Sequence, residues 1–255
     1  MLVIAHGSNK GDWDQRVAKM VQSVNWNGPK GVAFLTTANP EETLSAVAAR
    51  LDREAVGRII GVPLLISSLG DHYDELRYYF GALKDAPGHV HEAPLKTRAA
   101  LVLTAGMDDH LLLARILSDE VRTLSARPAE ESVVLVAHGP NDDKDNRRTM
   151  DKLESLARQI RDTVGLRRVE AVTLRDDAPK SVRDAATASL QAMVKRASAD
   201  SCVLIVPVLI SVGPIQREIE ERLEGLDHVS YPRGISESPL SAEWVRKQAL
   251  EAREK

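Results

Sequence analysis

The sequence predicts an α/β protein of two similar domains, each a mainly parallel sheet with helices on both faces. Two observations predict this fold class. Strand-like apolar runs alternate with segments whose apolar residues recur at helical spacing, which is the pattern of a parallel sheet covered by helices. The second half of the chain also repeats the order of the first, and 255 residues are enough for two domains of about 125 residues each.

Eight segments have the apolar character of buried strands. They are residues 2–5, 31–36, 58–66, 99–104, 133–137, 168–174, 202–210 and 228–232. The segments that follow the first four, residues 11–24, 39–55, 71–83 and 108–126, have helical spacing. Asn39 and Asp108 are predicted to begin helices, because their side chains can accept hydrogen bonds from the free N–H groups of a first turn.

The repeat is visible in the residues themselves. The stretch "LVIAHGS" at residues 2–8 returns as "VLVAHGP" at residues 134–140, and a Val-Pro pair before Leu-Ile-Ser recurs 144 residues later. Gly106 and Gly234, each before a helix, differ by 128 residues. Offsets that drift in this way are expected when loops change length between two copies of one domain. We therefore predict one domain over residues 1–128 and its repeat over residues 129–255.

Composition excludes several classes of function. Lys and Arg total 34 against 37 Asp and Glu, so a net charge of −3 gives no field to attract nucleic acid. The single cysteine, Cys202, excludes an intrachain disulfide and a cysteine-based metal cluster, and its apolar neighbours predict that it is buried. No apolar stretch approaches the ~20 residues that span a bilayer, so we expect a cytoplasmic protein that does not enter a membrane.

Two histidines stand where a parallel sheet places its ligands. His6 follows the first strand and His72 follows the third. Ligands bind at the carboxyl ends of parallel strands, and a third strand commonly lies beside the first, so we expect the two imidazoles to face each other. Two imidazoles suit Co²⁺, Ni²⁺, Fe²⁺ or Zn²⁺. For either histidine alone, a hydrogen-bonded strand end or a surface position is the alternative. His89 and His91 are a weaker candidate pair.

"LVIAHGS", "VPLLISSLGDH" and the internal duplication together resemble the class II tetrapyrrole chelatases, in the two-domain form of the CbiX-like sirohydrochlorin cobaltochelatases and ferrochelatases. The resemblance implies a chelatase-like fold and insertion of Co²⁺, Fe²⁺ or Ni²⁺ into sirohydrochlorin or a related tetrapyrrole, in cobalamin or siroheme biosynthesis. It also implies that His6 and His72 are the catalytic residues and the metal ligands. The chain has no G-x-x-x-x-G-K-[ST] motif, which agrees with insertion that uses no nucleotide.

The first half departs from the family pattern at two places. Thr36 stands where the family has a glutamate after the second strand, and Glu41, Glu42 and Asp71 are candidate replacements for that carboxylate. One extra residue precedes Gly70, so we expect a displacement of His72 from its family position.

The second half departs further. It keeps His138, but Ile215 stands at the second histidine and Arg175 at the glutamate, so we predict no metal centre there. Its expected role is to bind the tetrapyrrole, since arginine pairs well with carboxylates. The predicted substrate-binding residues of the whole chain are Ser8, Lys10, His138 and Arg217. His110, at a helix start, is an optional member of the site.

Two other functions compete with the enzyme. A protein that binds metal or tetrapyrrole on the same scaffold without catalysis is favoured by Thr36 and Ile215, whereas the retention of His6 and His72 favours a chelatase. A hydrolase with Ser8 as nucleophile is disfavoured because the G-x-S-x-G turn is absent. We expect either a monomer or a homodimer, with a tetrapyrrole as the partner molecule.

Overall fold

Two parallel four-stranded sheets form the framework of the protein. The computed structural model describes residues 1–8, 12–88, 90 and 93–254, so Lys10, His89 and His91 lie outside the described residues. In the first sheet the strands are ordered β2-β1-β3-β4, with β1 at Leu2–Ala5, β2 at Gly31–Phe34, β3 at Arg58–Pro63 and β4 at Ala100–Leu103. In the second the order is β6-β5-β7-β8, with β5 at Glu131–Ala137, β6 at Arg168–Thr173, β7 at Cys202–Val208 and β8 at Val229–Ser230.

Eight α-helices accompany these strands in the described residues, and the predicted fold class is confirmed. The helices are α1 (Trp13–Ser23), α2 (Leu44–Arg53), α3 (Asp71–Tyr79), α4 (Leu111–Leu124), α5 (Asp143–Val164), α6 (Lys180–Ser198), α7 (Pro214–Arg222) and α8 (Pro239–Arg253). Every residue of the central strands β1 and β5 is buried, as expected when helices cover both faces of a parallel sheet. Within the described ranges, no helix has the length and the apolar character that crossing a membrane requires.

The chain divides into two compact units, and each includes one helix from the other half of the sequence. The first unit consists of Met1–Met107 and Ser236–Lys255, and the second of Asp108–Ile235. The strands of the first sheet lie before residue 128, and those of the second begin at Glu131. Helix α4, however, packs against α5 and β7 in the second unit, and α8 packs against β3 and α1 in the first.

Specific hydrogen bonds hold these two helices in their units. The guanidinium of Arg58 on β3 donates to the carbonyls of Ala252 and Arg253, which satisfies acceptors at the end of α8. In the second unit, Gln159 of α5 donates to the carbonyl of Asp109, just before α4. An apolar helix face predicts burial but does not specify the sheet that buries it.

Two local expectations from sequence were wrong. Helix α4 begins not at Asp108 but after His110, whose Nδ1 accepts from the N–H of Leu112 at 3.0 Å. Asp108 instead lies in the left-handed region at φ 49°. Cys202 is exposed rather than buried, because it is the first residue of β7 and precedes the residues of that strand that enter the core.

The turn after β1 requires glycine. Gly7 has φ 85°, and a Cβ at this residue would lie 2.1 Å from the carbonyl oxygen of Thr36 and 2.8 Å from Cβ of Phe34. Any other residue would combine a left-handed backbone with a collision against β2 and the residues that follow it. The backbone at His6 is therefore held close to the end of the neighbouring strand.

We expect Gly7→Ala to lower the free energy of unfolding by at least about 2 kcal/mol, since it adds overpacking to the backbone strain. Gly81→Ala is the matched control, because Gly81 has φ 74° but a Cβ there would have no atom within 4 Å. That control should cost about 1 kcal/mol. Urea denaturation of both variants measures the difference, and equal losses would show that the turn tolerates a side chain.

Candidate functional site

His6 stands at the carboxyl edge of the first sheet, directly after β1. The N–H of Thr36 donates to its carbonyl at 2.8 Å, which extends the pairing of β1 with β2 by one step. Its imidazole Nδ1 lies 2.8 Å from the carbonyl oxygen of Gly7. Because a carbonyl only accepts, this hydrogen bond requires the proton on Nδ1 and leaves the lone pair on Nε2. The turn therefore prepares His6 to bind a metal or a proton through Nε2.

His72 meets His6 at this edge. It is the second residue of α3, which begins after Gly70, a residue with φ 90°. The two ring centroids are 4.5 Å apart with the planes at 72°. The side chain of His72 is 47% exposed, and its Nδ1 lies 3.7 Å from Oε2 of Glu75, which is 14% exposed. The structure therefore brings together the two histidines that the sequence pairs.

The extra residue before Gly70 does not separate the two histidines. Leu65 accepts from the N–H of Met107 at 2.8 Å, and in the second unit Leu209 accepts from Ile235 at 2.9 Å, so the repeat stays in register to that point. The insertion lies between Leu65 and Gly70, where Ser68 Oγ accepts from the N–H of Gly106 at 2.7 Å. The loop accommodates the added residue and α3 still places His72 beside His6.

Carboxylates near His6 come from outside the family's glutamate position. Thr36 is exposed at the end of β2, and Asp71 is exposed at the start of α3. Asp14, in the first turn of α1, interacts electrostatically with both His6 and Glu42. Of the replacements that the sequence suggests, Glu42 therefore interacts with a carboxylate that the sequence analysis did not single out, Asp14.

Burial raises the pKa of the Asp14 carboxyl above its usual range, and repulsion from Glu42 acts in the same direction. A hydrogen bond from the backbone N–H of Ser8 to Asp14 Oδ1, 2.7 Å long, and the imidazole of His6 oppose that shift. Ser8 is thus joined to α1 through its backbone. The repeat could have drawn attention to Asp14. The offset of 132 that pairs His6 with His138 also pairs Asp14 with Asn146, so the first half has a charged residue where the second has a neutral one.

Two imidazoles are fewer ligands than a closed metal site uses. Over residues 1–8, 12–88, 90 and 93–254, the structure contains no group of three or more His, Cys, Asp or Glu residues arranged to hold one metal ion. A closed structural metal site uses four protein ligands, whereas a site that exchanges ligands keeps positions free. A pair of imidazoles is suited to an ion that is received and passed on.

The second unit repeats the turn without the second imidazole. Nδ1 of His138 lies 3.0 Å from the carbonyl of Gly139, and the N–H of Arg175 donates to the carbonyl of His138 at 2.6 Å. Ile215 is the second residue of α7, the position that His72 has on α3. Where His6 has His72 as its neighbour, His138 has Oδ2 of Asp177 at 3.3 Å from its Nε2.

Arg175 closes the loop that follows His138. Its Nε donates to the carbonyl of Pro140 at 3.1 Å, and its guanidinium contacts the carbonyl of Asn141 and pairs with Asp143 at 2.7 Å. The side chain is only 12% exposed. Arg175 therefore stabilises its own unit, and the structure offers no metal ligand at this position.

The remaining residues that the sequence analysis proposed for the site are Arg217, Lys10 and His110. Arg217 is exposed on α7. Lys10 lies outside the described residues. The imidazole of His110 caps α4 and has a structural role there.

Solved structures of other proteins have a similar fold. SirB from Bacillus subtilis, in a structure with Fe3+, has a TM-score of 0.71 and 17% identity over 98% of this chain and 94% of that one. The sirohydrochlorin chelatase SirB from Bacillus subtilis subspecies spizizenii in complex with cobalt has a TM-score of 0.70 and 15% identity over 99% and 94%. At these identities the likeness shows the fold.

A third solved structure is CbiX, described as the terminal enzyme for biosynthesis of siroheme in denitrifying bacteria, with a TM-score of 0.59 and 15% identity over 98% of each chain. A search of curated proteins found no match. The family model CbiX matches residues 1–124, which contain both histidines. Slightly less than half of the chain is thus similar to the CbiX family, and the solved chelatase structures share its fold over nearly the whole chain.

Proposed function

We propose that this protein inserts a divalent metal ion, Co²⁺, Fe²⁺ or Ni²⁺, into sirohydrochlorin or a related tetrapyrrole without using ATP. The observation that carries the proposal is the contact between the imidazoles of His6 and His72, whose centroids are 4.5 Å apart at the carboxyl edge of the first sheet. The match of residues 1–124 to the CbiX family model supports the same reaction. The metal ion is a substrate that the protein receives and transfers.

Insertion requires a place to hold the ion and a group that accepts protons. The hydrogen bond from Nδ1 of His6 to Gly7 leaves Nε2 as an electron-pair donor toward the ion, and His72 supplies the second imidazole. Two protein ligands leave coordination positions for the pyrrole nitrogens. The ion forms bonds to all four inner nitrogens of the macrocycle and replaces the two protons that these nitrogens carry, and neutral imidazoles released from the metal can accept those protons. These steps conserve charge without a nucleotide.

Tetrapyrrole binding is the proposed role of Ser8, Lys10, His138 and Arg217. Arg217 carries the clearest chemistry, because an exposed guanidinium can form charge-assisted hydrogen bonds with a carboxylate of the substrate. The carboxylate of Asp177 lies beside the imidazole of His138. This contact favours a role for His138 in the shape and polarity of the tetrapyrrole-binding surface over a role as a metal ligand.

A second function competes, namely a protein that holds metal or tetrapyrrole without catalysing insertion. The observation that favours it is Thr36, which leaves the end of β2 without a carboxylate. The two functions differ in rate, since a binding protein retains affinity for its ligand and does not accelerate metallation.

We expect the purified protein to metallate sirohydrochlorin with Co²⁺ faster than the spontaneous reaction, measured by the change in the absorption spectrum of the macrocycle. His6→Ala and His72→Ala should each lower kcat by about 10²- to 10⁴-fold, because each removes a metal ligand and proton acceptor. His228→Asn is the control, since His228 bonds to Leu226 and Glu220 and lies on no part of the site.

A wild-type rate equal to the spontaneous one would refute the enzyme and leave the binding protein. Activity that survives both His6→Ala and His72→Ala would refute this site. Parallel assays with Co²⁺, Fe²⁺ and Ni²⁺ assign the metal by the highest kcat/KM.

Arg217→Ala should raise the KM for the tetrapyrrole by about two- to tenfold, the effect of losing one exposed ion pair, while kcat stays within about twofold. Arg158→Ala on the exposed side of α5 is the matched control. Steady-state kinetics with the tetrapyrrole as the varied substrate measures this. An unchanged KM would remove Arg217 from the binding residues.

A further inference from the structure

The first turn of α3, which carries His72, is attached to the residues that follow β4. Tyr73 is the third residue of the helix, and its phenol O–H donates to the carbonyl of Thr104 at 3.1 Å. The loop before the helix is held at the same place, since Ser68 Oγ accepts from the N–H of Gly106 at 2.7 Å. Two hydrogen bonds, one at the helix and one at the loop, therefore join this part of the chain to the end of β4.

The imidazole of His72 depends on its backbone for its position. The side chain is 47% exposed, so packing restrains it weakly. The loop that leads to it is one residue longer than its counterpart in the second half, and added loop length increases the conformational freedom of a segment. The hydrogen bonds of Tyr73 and Ser68 oppose that freedom on the two sides of the helix start.

The second unit makes the same attachment with a different side chain. Gln216 is the third residue of α7, and its Nε2 donates to the carbonyl of Tyr231 at 3.1 Å. The N–H of Tyr231 donates to the carbonyl of Ile205 at 2.9 Å. The N–H of Thr104 donates to that of Gly61 at the same distance. These two acceptors are 144 residues apart, which is the offset of the repeated Val-Pro pairs, so Tyr231 is the counterpart of Thr104.

The two units share the hydrogen bond and not the side chain that makes it. A tyrosine ring and a glutamine chain pack differently, and what they have in common is a polar end that can donate. The residue before each donor is the one at which the units differ, His72 in the first and Ile215 in the second. The bond thus fixes the start of the helix in both units, and in the first unit the helix start carries the imidazole.

We infer that Tyr73 is a positioning residue, whose hydrogen bond to Thr104 holds His72 in contact with His6. It acts through the backbone of α3, in the way that residues behind a metal ligand orient the ligand. The inference rests on the proposed function for its effect on the reaction, and it assigns a further residue to the same site.

The contact between the two imidazoles can be observed directly by NMR. In protein with ¹³C-labelled histidine, we expect a nuclear Overhauser cross-peak between the ring protons of His6 and His72, assigned by its loss in His6→Ala. Tyr73→Phe keeps the ring and removes the donor, so the cross-peak should weaken or disappear. Tyr73→Gln removes the ring and supplies the donor that Gln216 uses in the second unit, so the cross-peak should be retained.

Tyr78→Phe is the matched control for the NMR experiment. It makes the same substitution on the same helix, at a ring that packs against the hydrophobic core of the first sheet, and it should leave the cross-peak unchanged. A cross-peak in Tyr73→Phe as strong as in the wild type would overturn the inference. Its loss in Tyr73→Gln would do the same, because the ring and not the donor would then hold the helix. A wild type without the cross-peak would also overturn it.

Kinetics test whether Tyr73 acts through His72. In the metallation assay, Tyr73→Phe should lower kcat by about two- to tenfold, the equivalent of one neutral hydrogen bond, and leave the KM for the tetrapyrrole unchanged. In the His72→Ala background the same substitution should cause no further loss, because a positioning residue has no effect without the residue that it positions. A loss of full size in that background would show a role independent of His72 and would contradict the inference.

The proposed function and this inference can fail separately. If the wild type inserts no metal, the proposed function fails, and the NMR cross-peaks still decide whether Tyr73 positions His72. If the wild type inserts metal and Tyr73→Phe retains both the cross-peak and kcat, the function stands and the inference fails.

Discussion

The parallel pairing of β1 with β3 is the interaction on which the site depends. Leu2 pairs with Gly61 and Ile4 with Pro63, so the carboxyl ends of these two strands meet at one edge. His6 follows one strand directly, and His72 follows the other through a loop and the first turn of α3. No local preference could bring these two residues together, because their contact follows from strand order alone. The order of the strands in the sheet therefore brings two histidines that are distant in sequence into contact.

One turn serves two different purposes in the repeated units. Gly7 and Gly139 have φ values of 85° and 80°, and each accepts through its carbonyl from the Nδ1 of the preceding histidine. The backbone is thus the same, and the chemistry depends on what the neighbouring elements bring. In the first unit they bring a second imidazole, whereas in the second they bring Asp177 and the guanidinium of Arg175.

Much of the site could be predicted from the sequence, and the missing part has a physical reason. Histidine after a buried strand is a local pattern, so His6 and the partner His72 were found from spacing and strand order. Asp14 was missed because a carboxylate in the first turn of a helix is a common N-terminal residue that stabilises the helix. Its interaction with His6 depends on a position that the side chain acquires only in the folded chain. Glu42 could not be distinguished from Glu41, since adjacent acids differ only in the direction that their backbone gives to the side chains.

The sequence by itself determined the eight strands, their parallel class and the duplication, because apolar periodicity and repeated motifs are properties of local segments. It also determined which histidine has a partner, since Ile215 excludes one in the second half. Only the tertiary structure decided that α4 packs in the second unit and α8 in the first. The reason is that an amphipathic face specifies burial without specifying the partner, and the same limit applies to charge. A carboxylate becomes part of a site through the distances that packing sets, and those distances exist only in the folded protein.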